Sequence, residues 1–155
     1  MGDSAGGGVA AGVAIAARDA GIPVARQILI YPMLDDRTIE PDPWLASTAS
    51  WPYDSNFTGW NALLGADRGT ADVSPLAAPA RLTDFAGLAP AFIEVGDLDI
   101  FRDEDIEYAL GLVRAGVSAE LHVRPGCPHG YDRFAHESEV VQRSLADRYR
   151  VIRAV

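Results

Sequence analysis

The chain has 155 residues, enough for one domain with a real hydrophobic core and too few for two ordinary ones. With 48% hydrophobic and 23% charged residues it has the balance of a folded globular protein, which excludes intrinsic disorder. A formal charge of −9 and the lack of any basic stripe exclude a nucleic-acid partner, because phosphate binding depends on clustered Lys and Arg. One cysteine, Cys127, leaves no internal disulfide and points to a reducing, cytoplasmic setting. Met1 is followed by Gly-Asp-Ser, with no basic n-region or cleavage pattern of a secretory signal.

In chain order, Ala5 to Ala20 is dominated by Ala, Gly, Val and Ile and stopped by Gly21-Ile22-Pro23. Its apolar run, Ala5 to Ala17, is too short and glycine-rich for a membrane span, and the small residues predict a helix packed closely on most of its faces. RQILIY, Arg26 to Tyr31, predicts a short strand ended by Pro32. The Asp-, Pro-, Ser- and Thr-rich stretch from Pro32 to Trp51 predicts an excursion outside regular structure. Phe57, Trp60, Leu63 and Leu64 have helical spacing within Tyr53 to Leu64, and Gly65 to Ala89 reads mostly as loop. AFIEV, Ala91 to Val95, predicts a second strand running into Gly96-Asp97-Leu98-Asp99. Ile106, Ala109, Leu110 and Val113 define an amphipathic helix over Arg102 to Ala115, closed by Gly116. AELHVR, Ala119 to Arg124, predicts a third strand ending at Pro125-Gly126, and Ser138 to Val155 a final helix with its charges on one side. Strands alternating with helices imply an α/β fold with a parallel sheet covered by helices.

Gly2-Asp3-Ser4-Ala5-Gly6 matches G-x-S-x-G, the sharp strand-to-helix turn that lifts a nucleophilic serine above a sheet. The flanking glycines allow two backbones to approach without a Cβ clash, and the backbone N–H of Ala5 opens the helix, where it can donate to an oxyanion. A serine hydroxyl needs a base. Of the three histidines, His122 lies within a strand and His136 at the acidic start of the last helix. His129 sits in PGCPHGY, a rigid loop just after a strand, where wound sheets bind ligands, and is the candidate base. The imidazole in turn needs a carboxylate. Asp97 and Asp99 both lie in the loop after AFIEV, whereas Asp103, Glu104 and Asp105 read as first-turn acids favoured by the helix dipole. The chain order Ser, Asp, His is that of α/β-hydrolases.

Essentially the whole chain resembles the hormone-sensitive-lipase-like, or bacterial family IV, esterases. GDSAGGG looks like their nucleophile elbow, ILIYPMLD like the next strand and turn, and His129-Gly130-Tyr131 like their His-Gly-Phe. Asp99-Ile100-Phe101-Arg102-Asp103-Glu104 aligns with their Asp-Pro-Leu-Arg-Asp-Glu, with Ile100 in place of a common proline. The resemblance makes Asp99 the acid and leaves Asp97 in reserve. It implies the C-terminal catalytic part of one α/β-hydrolase domain over residues 1–155, with three parallel strands at about 26–31, 91–95 and 119–124. Nothing in the chain corresponds to the family's front half, with its His-Gly-Gly-Gly segment and cap, so Met1 reads as a truncation. The strand leading into Ser4 is expected to be absent, Arg26 to Tyr31 to present an unpaired edge, and the chain alone to be nearly inactive.

The implied activity is hydrolysis of short to medium acyl esters through an acyl-enzyme, with a small-molecule ester as partner and no cofactor. The histidines have neither zinc spacing nor cysteine partners, so no metal is expected. In the resembled family the final helix and last strand often form dimers, which admits a homodimer. Two other readings compete: a peptidase of prolyl-oligopeptidase type, which shares the elbow and the residue order, and a non-catalytic small-molecule-binding hydrolase homologue. Trp44, Trp51, Phe57 and Trp60 are candidates both for a substrate pocket and for plain core packing.

Overall fold

A computed structural model describes residues 1–155. Four parallel strands form one sheet in sequential order: β1 (Gly2–Asp3), β2 (Gln27–Ile30), β3 (Ala91–Gly96) and β4 (Ala119–Arg124). Helix α1 (Ala5–Asp19) connects β1 to β2, and α4 (Arg102–Arg114) connects β3 to β4. The long β2–β3 connection carries the one-turn α2 (Pro43–Ala46) and α3 (Tyr53–Leu64), and α5 (Glu139–Arg153) ends the chain.

The strand count corrects the sequence expectation. Gly2 and Asp3 pair in parallel with Leu29 and Ile30, so a strand does lead into Ser4 and covers part of the β2 edge. Two residues suffice because the ladder continues beyond them: the Ser4 N–H donates to the Ile30 carbonyl at 2.9 Å.

β2 and β3 are buried on both faces, as central parallel strands are. On one face Ala11 and Ile15 of α1 and Tyr108 and Leu112 of α4 pack on Leu29 and Ile93. Crossovers of one hand between strands laid down in order put both connecting helices on that same face. On the other, Ile28, Ile30 and Phe92 meet Val141 and Val151 of α5. The side chain of Ser138 caps α5, accepting from the Val141 N–H. A third cluster, including Met33, Trp60, Ile100 and Phe101, gathers α2, α3 and the segments leaving β2 and β3. Helix α1 is less enclosed than its composition suggests, because Val9 and Val13 are exposed. No helix is long and apolar enough to cross a membrane.

Candidate active site

The site is built from the segments that leave β1, β3 and β4 at their C-terminal ends, the usual ligand side of a wound sheet. Ser4, between β1 and α1, has φ 54° and ψ −125°, a conformation that costs a non-glycine residue about 1–3 kcal/mol. The surrounding backbone holds it there. Its N–H is on Ile30, and its carbonyl accepts from Met33 at 3.0 Å and from Gly7 at 2.9 Å. Gly2 is required by contact, since a Cβ there would lie 2.1 Å from the Gly6 carbonyl oxygen. Ala5 is the first residue of α1, so its N–H lacks an intrahelical partner.

Asp99 leaves β3 fully buried, with Oδ1 accepting from the Phe101 N–H at 3.0 Å. His129 follows β4, on a loop locked to the end of β3. Leu98 N–H donates to the Cys127 carbonyl at 3.1 Å, and Gly126 N–H donates to Asp97 Oδ1 at 2.7 Å. A Cβ on Gly96 would come within 1.9 Å of the Cys127 carbonyl oxygen, so only glycine permits this approach. Ser50 Oγ donates to the His129 carbonyl at 2.6 Å.

These constraints bring three side chains into line. His129 Nε2 lies 2.9 Å from Ser4 Oγ, and His129 Nδ1 lies 2.7 Å from Asp99 Oδ2. A proton on Nδ1 satisfies Asp99 and leaves Nε2 free to accept the serine hydroxyl. Such an arrangement can draw a proton from Ser4 while a buried carboxylate faces the imidazolium that forms. Asp97, the reserve acid, spends its carboxylate on Gly126 instead. His122 bonds Glu120 at 2.8 Å and packs on Phe92, away from this line, and His136 precedes α5 rather than opening it.

Residues 1–133 match the family described as alpha/beta hydrolase fold. The chain belongs to that family. Esterase LipI of Mycobacterium tuberculosis (strain ATCC 25618 / H37Rv) is 39% identical over 145 residues, covering 86% of this alpha/beta hydrolase chain and 42% of LipI. A bacterial heroin esterase superposes with a TM-score of 0.85 at 42% identity, over 94% of this chain and 47% of that one. A hormone-sensitive lipase from a metagenome library superposes at 0.86 with 26% identity, over 99% and 52% of the two chains. With its motifs, these likenesses make it a hormone-sensitive-lipase-like member of the alpha/beta hydrolases. The chain spans about half the length of the relatives it matches.

Sequence reasoning missed the rings around His129. Tyr31 and Phe101 meet the imidazole edge-on at centroid distances of 4.8 and 5.1 Å, and Trp51 lies at 6.3 Å. Of the other aromatic pocket candidates, Trp60 is core, Phe57 lies under Arg68 at 4.3 Å, and Trp44 under Arg102 at 5.6 Å. An apolar groove of about 670 Å³ runs from Ala5 along α1 between Val9, Val13, Met33, Trp60 and Leu63. Spacing also gave no hint that Glu120, His122 and Asp147 meet within 4.8 Å of one another; Arg124 and Arg150 already bond the carboxylates there. Two first-turn acids of α4 differ from expectation: Asp103 is exposed, but Glu104 and Asp105 are buried. Burial pushes the Cys127 thiol up, which suits a packed residue better than a reactive one.

Proposed function

We propose that this chain is the C-terminal catalytic portion of a serine carboxylesterase acting on short to medium acyl esters. One observation carries the reading: the Ser4–His129–Asp99 line, at 2.9 and 2.7 Å, at the C-terminal ends of a parallel sheet. Ser4 Oγ attacks the ester carbonyl as His129 Nε2 takes its proton, and Asp99 holds the imidazole and stabilises its charged form. The Ala5 N–H donates to the oxyanion, His129 returns the proton to the departing alcohol, and water then cleaves the acyl-enzyme by the same route. Relatives named as esterases support the reaction class, and the buried lone cysteine suits a reducing cytoplasm.

In this reading the chain alone is weak. Ala5 is one oxyanion donor, and removal of a single donor typically costs about 10²–10³ in rate. The relatives, roughly twice as long, have as much chain again from which to supply others. The test is covalent labelling of the purified chain by a fluorophosphonate, read by intact mass, with Ser4→Ala and His129→Ala as controls. We expect slow labelling at Ser4 that either substitution removes, and turnover of p-nitrophenyl esters in preference to dipeptidyl amides. Labelling that survives Ser4→Ala would overturn the assignment, and a preference for the amides would favour a peptidase.

A further inference from the structure

Only two residues other than glycine have positive φ: Ser4 and, at the end of the neighbouring strand, Tyr31 at φ 36°. The first carries the proposed nucleophile. The second is a buried tyrosine whose ring edge meets the His129 imidazole at 4.8 Å, with 68° between the planes. A β-region backbone would continue the strand; the turn at Tyr31 instead brings its ring to the histidine. A cost of this kind is retained where surrounding contacts over-determine it.

Those contacts form a chain of charge-assisted bonds behind the histidine loop. Tyr31 Oη donates to Asp132 Oδ1 at 2.9 Å, and Asp132 Oδ2 accepts from Arg148 of α5. Arg148 also grips Glu94 Oε1 through Nε at 3.0 Å and Nη2 at 2.7 Å. Glu94 is fully buried in β3 and takes two further bonds from Arg124, at 3.1 and 2.7 Å. Burial would raise the Asp132 carboxyl, but Arg148 and Tyr31 outweigh it and hold it charged. None of these polar groups bonds Ser4, His129 or Asp99, and Arg148 lies beyond the 133 residues matched by the family.

We propose that Tyr31 is a positioning residue for His129, braced from the C-terminal helix through Asp132 and Arg148. The inference rests on His129 being the base. When Nε2 has taken the serine proton, its bond to Ser4 is loosened and only Asp99 and the neighbouring rings keep the imidazole aimed. The ring of Tyr31 bars rotation away from the leaving group, and the Asp132 bond fixes that ring. A misplacement of about 1 Å at such a site costs on the order of 10²-fold in rate, so a partly released ring produces a readable loss.

The experiment uses the whole chain with Tyr31→Phe, Tyr31→Leu, Asp132→Asn and Tyr31→Leu/Asp132→Asn. Two quantities are read: solvent exchange of the His129 Nδ1 proton by NMR, and fluorophosphonate labelling resolved into maximal rate and half-saturating concentration. Tyr31→Phe and Asp132→Asn should each speed exchange and lower the maximal rate about threefold, and Tyr31→Leu about tenfold, at unchanged half-saturation. Adding Asp132→Asn to Tyr31→Leu should change nothing further, because the brace acts through the ring. If Tyr31→Leu does not fold, Tyr31→Phe, which keeps the ring, decides. Unaltered proton exchange in a folded variant overturns the positioning role, whatever the labelling does. Absent labelling of the wild-type chain would count against His129 as an assembled base, while exchange would still decide the position of its ring.

Discussion

Two carboxylates sit in the interior of this fold on neighbouring elements, and they are treated in opposite ways. Glu94, in the middle of β3, is met by Arg124, Arg148 and the Tyr131 hydroxyl, the last at 2.9 Å. Asp105, in the first turn of α4, is equally inaccessible and neither of its oxygens has a hydrogen-bond partner. Its neighbour Glu104 stands between the two cases, accepting from the Leu34 N–H at 2.6 Å, the Asp35 N–H at 3.1 Å and the Thr38 hydroxyl. The contrast teaches that burial alone says little about what a charge does for stability. Donors at hydrogen-bond distance let Glu94 tie together β3, β4, α5 and the loop after His129. Without donors, Asp105 is favoured as the neutral acid.

The sharpest way to break the comparison is to remove the centre of the satisfied region. Glu94→Gln leaves two guanidinium groups facing an amide in the interior, and should cost about 3–5 kcal/mol in urea unfolding. Arg124 and Arg148 keep Asp147 and Asp132 as partners, which sets the lower end of that range. A loss below about 1 kcal/mol would mean that the network contributes geometry rather than stability.

A smaller effect of the same sign is expected at Asp36, which is buried and bonded by Arg81 at 2.6 and 2.9 Å and by the Gly69 N–H at 2.7 Å. Burial would raise this carboxyl, but Arg81 and Gly69 lower it below its ordinary value. Its contribution is therefore full above about pH 4 and lost as pH falls through the depressed folded value. Asp36→Asn should cost about 2 kcal/mol at pH 7 and almost nothing in strong acid, read from thermal melts across pH.

Much of the frame was legible because it depends on local pattern. RQILIY, AFIEV and AELHVR became β2, β3 and β4 within a residue or so at each end: the first two are buried parallel strands that read as short apolar runs, and the third is a half-exposed edge strand that reads by alternation. β1 was missed because two residues carry no periodicity, and their partners Leu29 and Ile30 lie more than 25 positions away. The same distinction runs through the site. GDSAG and HG stand out as candidates by local turn chemistry, whereas the place after a strand offered Asp97 and Asp99 alike, and only the family resemblance chose between them. Tyr31, Asp132 and Arg148 do not: Tyr31 read as the last residue of a strand, and Arg148 as one charge among several on the final helix. Their meaning comes from contacts spanning 101 and 16 positions. Glu104 and Asp105 misled for the opposite reason. A strong local explanation, acids favoured in the first turn of a helix, concealed that the tertiary fold buries both.

The mildest prediction concerns that unsatisfied region, and it runs opposite in sign to the one for Asp36. Burial pushes Glu104 up to about 8, against its bonds to Thr38 and the Leu34 amide, and raises Asp105 well above the usual carboxylate range, with the nearby charges of Glu104 and Asp99 adding to the effect. For an acid raised in the folded state, both states are protonated at low pH and nothing is gained or lost. As pH climbs past the unfolded value near 4, the unfolded chain releases its proton first, and stability falls with rising pH until the folded group also ionises. The interior around α4 should therefore be weakened between about pH 4 and pH 8, the window in which Asp36 and Asp132 contribute fully. Asp105→Asn removes one ionisation from this limb without changing the side-chain shape. It should leave stability unchanged near pH 4 and raise it progressively as pH climbs, by upward of about 1 kcal/mol at pH 8, flattening the profile. Melts of the two chains that stay parallel from pH 4 to 8 would show that Asp105 finds a partner in solution, and the contrast with Glu94 would then be one of degree.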